Sequence, residues 1–127
     1  MDPILIVEDD ADSRDALANM LRVEGHDVKC VASGAEALRS VLFDMPELIV
    51  LDLFMPDMNG GTLLEILRSY SRFRALPVIV WTGHADSSQA VQARRHRVEY
   101  IVEKGKPSYD AILTAIRTVL SHRPKSN

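Results

Sequence analysis

The chain is 127 residues long, with 46% hydrophobic and 26% charged residues and a formal net charge of −3. That length suits one compact domain with a single core, and the slight acidity gives no global attraction to nucleic acid or anionic lipid. Cys30 is the only cysteine, which excludes an internal disulfide, and no apolar run reaches the ~18 residues of a membrane span, so a cytoplasmic protein without a membrane partner is expected.

Ile4-Leu5-Ile6-Val7 predicts a strand near residues 4–8 that ends in three acids, Glu8, Asp9 and Asp10. A helical pattern follows, with Leu17, Met20 and Leu21 on one stripe and Gly25 placed to close it. The second strand, near 27–31, carries Cys30 as a small core thiol. Ser33 with Glu36 three residues on reads as a capping box, opening a helix whose buried face is Leu38, Val41 and Leu42. Leu48-Ile49-Val50-Leu51 predicts a third strand, near 48–52, that ends on Asp52. Asn59 can cap the next helix, whose stripe is Leu63, Ile66 and Leu67. A fourth strand near 77–82 runs through Trp81 to Thr82-Gly83. The segment from Asp86 to Arg97 has only Ala90, Val91 and Ala93 as apolar residues, so it is expected to be loosely packed and exposed. A fifth strand near 99–103 ends in Glu103-Lys104, and a last helix from about Ser108 to Ser121 carries Ile112, Ala115, Ile116 and Val119 on one face. One domain is expected over residues 1–122, with a flexible tail over 123–127. Strands alternating with helices imply an α/β fold with a parallel sheet covered on both faces.

In such sheets ligands bind beyond the carboxyl ends of the strands. Glu8, Asp9 and Asp52 occupy two such ends, and three nearby carboxylates cannot all ionise cheaply unless a cation intervenes. Oxygen ligands favour magnesium over zinc, which would call for His or Cys; the four histidines, at 26, 84, 96 and 122, are scattered. Thr82, followed by an unobstructing glycine, can donate to an oxyanion, and Lys104 can pair with Asp52 or with a phosphoryl oxygen. Taken singly, each of these is more often a solvated turn or cap residue; their combination at four strand ends is what points to a site.

At these residues the chain resembles the response-regulator receiver domain, the CheY-like family of two-component signalling. The resemblance rests on Ile4-Leu5-Ile6-Val7-Glu8-Asp9-Asp10, on Leu51-Asp52-Leu53-Phe54-Met55-Pro56-Asp57-Met58-Asn59-Gly60, on Trp81-Thr82-Gly83 and on Glu103-Lys104. It implies a flavodoxin-like, doubly wound sheet of five parallel strands in the order 2-1-3-4-5 with five helices. It further implies Asp52 as phosphoacceptor, Glu8, Asp9 and Asp52 as magnesium ligands together with the backbone carbonyl of Phe54, and Thr82 and Lys104 as the pair that senses the phosphoryl group. The implied donor is a sensor histidine kinase or phosphotransfer protein. The output, an effector domain or protein or a phosphorylation-dependent dimer, is left open, and catalysis would be limited to the domain's own phosphorylation and dephosphorylation. A docking module that is never phosphorylated and a magnesium phosphohydrolase with a nucleophilic aspartate remain as alternatives. The latter would carry a second acid where Phe54 stands.

The fifth strand departs from the family pattern. Lys104 precedes Gly105 rather than proline, while Lys106-Pro107 follows two residues later. Lys104 is preferred because it ends the strand on time. The aromatic residue expected three positions before the lysine is Ile101, with Tyr100 one place off, so either the strand bulges or the aromatic is absent. The turn before this strand, Ala93-Arg94-Arg95-His96-Arg97, lacks the usual glycine and reads as a solvated helix end, or alternatively as a docking face for an acidic partner.

Overall fold

The computed structural model describes residues 3–105 and 109–122. Five parallel strands, β1 (Ile4–Val7), β2 (Val28–Val31), β3 (Leu48–Leu51), β4 (Val78–Thr82) and β5 (Tyr100–Glu103), lie in the order β2-β1-β3-β4-β5. The helices are α1 (Ala11–Val23), α2 (Gly34–Phe43), α3 (Gly60–Ser69), α4 (Ser88–Arg94) and α5 (Asp110–Ser121). A short 3-10 turn at Ser71–Phe73, not foreseen from the sequence, places Phe73 in the core. The tail at 123–127 and the alternative lysine in Lys106-Pro107 lie outside the described residues.

Side-chain alternation along the strands divides the interior in two. Leu5, Val7, Ile49, Leu51, Val78 and Val80 pack with α2, α3 and α4, while Ile4, Ile6, Leu48, Val50, Ile79 and Trp81 pack with α1 and α5. Every residue of β1 and β3 is buried. Burial on both faces explains why these strands read as unbroken apolar runs, each buried Ile or Leu side chain contributing about 1.5–3 kcal/mol.

The helix stripes turn out rotated from the expected ones. Met20 and Leu42 are exposed, and Ala18, Ala37 and Leu64 take the buried places. Alanines allow close approach of helix to sheet, a preference that a pattern built on large residues misses. The α5 stripe is as expected. The α4 helix is shorter than the Asp86–Arg97 segment and more firmly seated, since Ala90 and Ala93 are fully buried while Val91 faces out. Cys30 is only partly buried, on the edge strand β2, so it flanks the core rather than filling it. Ser33 Oγ accepts from the Glu36 N–H at 3.2 Å, but the Glu36 carboxylate reaches back one residue further than a capping box does, to the Ala32 N–H.

The β5 register is regular, with Ile79, Val80, Trp81 and Thr82 facing Tyr100, Ile101, Val102 and Glu103 in turn. No bulge resolves the missing aromatic. Ile101 packs on the α4 side, and Tyr100 is exposed.

Without glycine, the turn into β5 places Arg97 at φ 58°, a left-handed conformation that costs a non-glycine residue about 1–2 kcal/mol. Arg68 offsets part of this. Its half-buried guanidinium donates to the carbonyls of His96 and Phe73 at 2.8 Å, Arg97 at 3.3 Å and Arg74 at 3.4 Å, tying the end of α3 to the turn. Because only the Arg97 backbone enters that clamp, Arg97→Gly keeps it and removes the strain. We expect this substitution to stabilise the chain by about 0.5–1 kcal/mol, seen as a higher urea midpoint at unchanged slope.

Candidate functional site

The hydrogen-bond ladder of the sheet continues one residue past three strand ends and fixes the site there. The N–H of Glu8 donates to Val31 O at 3.1 Å, that of Asp52 to Val7 O at 3.0 Å, and that of Lys104 to Thr82 O at 2.8 Å. Glu8, Asp52 and Lys104 are thus set by backbone pairing rather than by loop conformation. Thr82 is the last residue of β4 itself, fully buried, and its Oγ1 accepts from the His84 N–H at 3.2 Å.

The three acids that end β1 have separate tasks. Asp10 caps α1, accepting from the Ser13 N–H at 3.0 Å, and hydrogen bonding from the Ser13 side chain and then its backbone holds the Asp10 carboxyl below the usual range. Its own N–H donates to Glu8 Oε2 at 3.1 Å. Glu8 is buried beneath the site and Asp9 stands exposed at its rim. Carboxylate oxygens of Glu8, Asp9 and Asp52 all lie within 4.8 Å of one another, a set of hard oxygen donors suited to a divalent cation.

Lys104 is the cation of the cluster. Its ammonium bonds Glu8 Oε1 and lies 3.7 Å from Asp52 Oδ2. The other carboxylate oxygen of Asp52 accepts from the Phe54 N–H at 3.3 Å. Even with Lys104 present, burial, aided by the Asp52 charge, pushes the Glu8 carboxyl up to about 7. Among the described residues, three carboxylates share one lysine at this site, and Lys104 is the lysine that reaches them.

The loop after β3 is pinned at two points. Asp57 accepts from the Gly34 and Ala35 N–H groups at 3.1 and 3.2 Å, capping α2 from 22 residues away and holding its own carboxyl below the usual range. That contribution is present above the ordinary carboxyl range near 3.8 and is lost as the pH falls through the lowered value. At Gly60, the backbone N–H donates to Leu53 O at 2.8 Å, and a Cβ would meet Asp52 O at 2.9 Å, so glycine permits the approach of α3 to the site. Asn59 caps α3 as expected, accepting from the Thr62 N–H at 2.8 Å. The Phe54 and His84 rings meet edge to face, with centroids 5.5 Å apart.

Asp57, Trp81 and Arg68 were not singled out from the sequence. An aspartate after Met-Pro is an ordinary turn residue, and only the tertiary fold brings it to α2. The indole of Trp81 lies below Lys104, 5.0 Å from the ammonium. In the sequence it stands only as part of the fourth strand, next to Thr82.

Comparison with known proteins supplies the family. The response regulator receiver domain matches residues 4–117. Over 105 residues the chain is 34% identical to the DNA-binding response regulator MtrA of Mycobacterium tuberculosis, an alignment covering 82% of this chain and 45% of that protein. It thus spans less than half the length of that relative. Among solved structures, the receiver domain of a signal transduction histidine kinase from Syntrophus aciditrophicus is 30% identical with a TM-score of 0.84, covering 100% of this chain and 97% of that one. The receiver domain of sensor histidine kinase PA1611 from Pseudomonas aeruginosa PAO1, described with a magnesium ion coordinated in its active-site cleft, is 26% identical with a TM-score of 0.81, covering 94% and 95%.

Proposed function

The chain belongs to the response regulator receiver domain family, and on that premise we propose that Asp52 accepts a phosphoryl group in a magnesium-dependent reaction. The observation that carries the reading is the convergence of Glu8, Asp9, Asp52 and Lys104 at the carboxyl end of the sheet, with more carboxylate than one lysine can neutralise. Glu8, Asp9 and Asp52, with the Phe54 backbone carbonyl, would hold the ion. Bound there, magnesium supplies positive charge against the phosphoryl oxygens.

Asp52 is the nucleophile of the set. Its Oδ1 is held by the Phe54 N–H, leaving Oδ2, on the Lys104 side, to attack phosphorus as the bond to the donor breaks. With a phosphohistidine donor the imidazole nitrogen leaves with the bonding electrons; with acetyl phosphate, acetate leaves. Lys104 turns from Glu8 to the new phosphoryl oxygens, and the Thr82 hydroxyl donates to them. Because Thr82 ends the strand that leads to α4, its movement passes the change to the surface of α4 and β5. A sensor histidine kinase or phosphotransfer protein is the donor in this reading, and an effector domain or partner, or a second phosphorylated copy, takes the output. Residues 1–122 constitute the receiver.

The reading is tested by intact mass after incubation with magnesium and acetyl phosphate: one phosphoryl group is gained by wild type and none by Asp52→Asn. Failure of wild type to gain it under any donor would leave a docking module. Phe54, whose ring meets that of His84 edge to face, would in this reading shield the acyl phosphate from water. We expect Phe54→Asn to lose phosphoryl label about two- to tenfold faster than wild type, the range set by removal of one aromatic contact. Following loss of label after the donor is removed measures this, and faster decay in wild type would refute the shielding.

A further inference from the structure

The ammonium of Lys104 touches more than carboxylates. It lies 5.0 Å from the centroid of the Trp81 ring, and Trp81 is only 4% exposed. The indole also packs against Tyr109 at the start of α5, with ring centroids 5.7 Å apart and an interplanar angle of 53°. Trp81 therefore has an ionic neighbour at the site and an aromatic brace in the body of the protein. From β4 its side chain enters the layer formed by α1 and α5, the opposite layer from that entered by Val80.

A lysine side chain has four rotatable bonds, and this one is a quarter exposed. Two carboxylates fix its charge only while both remain free of competing cations. Were a divalent cation held by Glu8 and Asp52, the ring face below would be the contact that keeps the ammonium from swinging into solvent. We propose that Trp81 is a positioning residue for phosphoryl transfer, its braced indole face holding the Lys104 ammonium over the reacting oxygens by a cation–π contact. The inference rests on Asp52 being the phosphoacceptor, and it adds a residue that touches neither phosphorus nor metal. It also accounts for a bulky aromatic immediately before Thr82.

Trp81 is the only tryptophan, so its fluorescence reports this contact without a label. In the full chain, Trp81→Leu is expected to lower the rate of acetyl phosphate labelling in magnesium about five- to tenfold, as loss of one desolvated cation–π contact predicts. Trp81→Phe, which keeps a ring face, should recover most of the rate. Circular dichroism and thermal melting check that both are folded, and Trp81→Met replaces the leucine variant should that one fail to fold. Independently of any donor, Lys104→Met should shift the resting emission of Trp81. Labelling of Trp81→Leu at the wild-type rate, equal slowing in the folded Phe and Leu variants, or unchanged emission in Lys104→Met would each overturn the proposal. Absence of labelling in wild type would instead fell the phosphoacceptor reading, and this inference with it.

Discussion

Asp52→Asn is expected to abolish phosphorylation outright while leaving a folded and more stable chain. The loss is complete because the other acids are poorly placed to substitute: Glu8 is buried and bonded to Lys104, Asp9 stands at the exposed rim, and Asp10 caps α1. The gain in stability follows from the same cluster. Asp52 is one of the charges that raise the Glu8 carboxyl, so removing it relieves repulsion at a site the sheet has already dehydrated. Asparagine keeps the oxygen that accepts from the Phe54 N–H, which preserves the loop. Intact mass after acetyl phosphate treatment reads the first effect and a urea melt without magnesium reads the second. A phosphoryl group retained by the variant would place the acceptor elsewhere.

Much of this site was legible in the sequence because strands mark their own ends. A run such as Leu48-Ile49-Val50-Leu51 is buried on both faces, so the first polar residue after it has to stand at the edge of the sheet, and parallel pairing brings such edges together. That logic found Glu8, Asp52, Thr82 and Lys104. It did not sort the three acids after β1, since capping by Asp10 depends on where the helix begins to within one residue. Nor could it find Asp57, whose partners Gly34 and Ala35 are joined to it only by the fold. The misassigned faces of α1 and α2 share another cause: periodicity weighs large side chains, whereas the sheet selected alanines where helices come closest. The turn at Arg97 shows a cost that sequence hides, because a required left-handed residue is conspicuous as glycine and silent as arginine.

Glu8→Gln should have the second large effect, with opposite signs for stability and for function. The folded-state value of about 7 lies above the ordinary carboxyl value of 4.5, so between them the folded chain binds a proton that the unfolded chain does not. Stability is therefore highest below this window and falls as the pH rises through it, and above about pH 7 the full cost of a charged, buried Glu8 is present. Glutamine removes that cost. It leaves Lys104 free to pair with Asp52, so at pH 7.5 without magnesium we expect a gain of about 1–3 kcal/mol and a flatter stability profile between pH 5 and 7. Magnesium would reverse the preference, because the charge that is costly in the cluster alone is what a cation requires. In wild type, binding would displace the Glu8 proton, and apparent magnesium affinity should weaken as the pH falls below about 7, approaching tenfold per unit. Glu8→Gln should bind magnesium more weakly at neutral pH and lose most of that pH dependence. Titrations of magnesium at pH 6 and pH 8, read by calorimetry alongside urea melts, separate the two effects. A variant less stable than wild type at pH 7.5 would show that the Lys104 bond outweighs burial, and that the acid is held for the fold rather than for the ion.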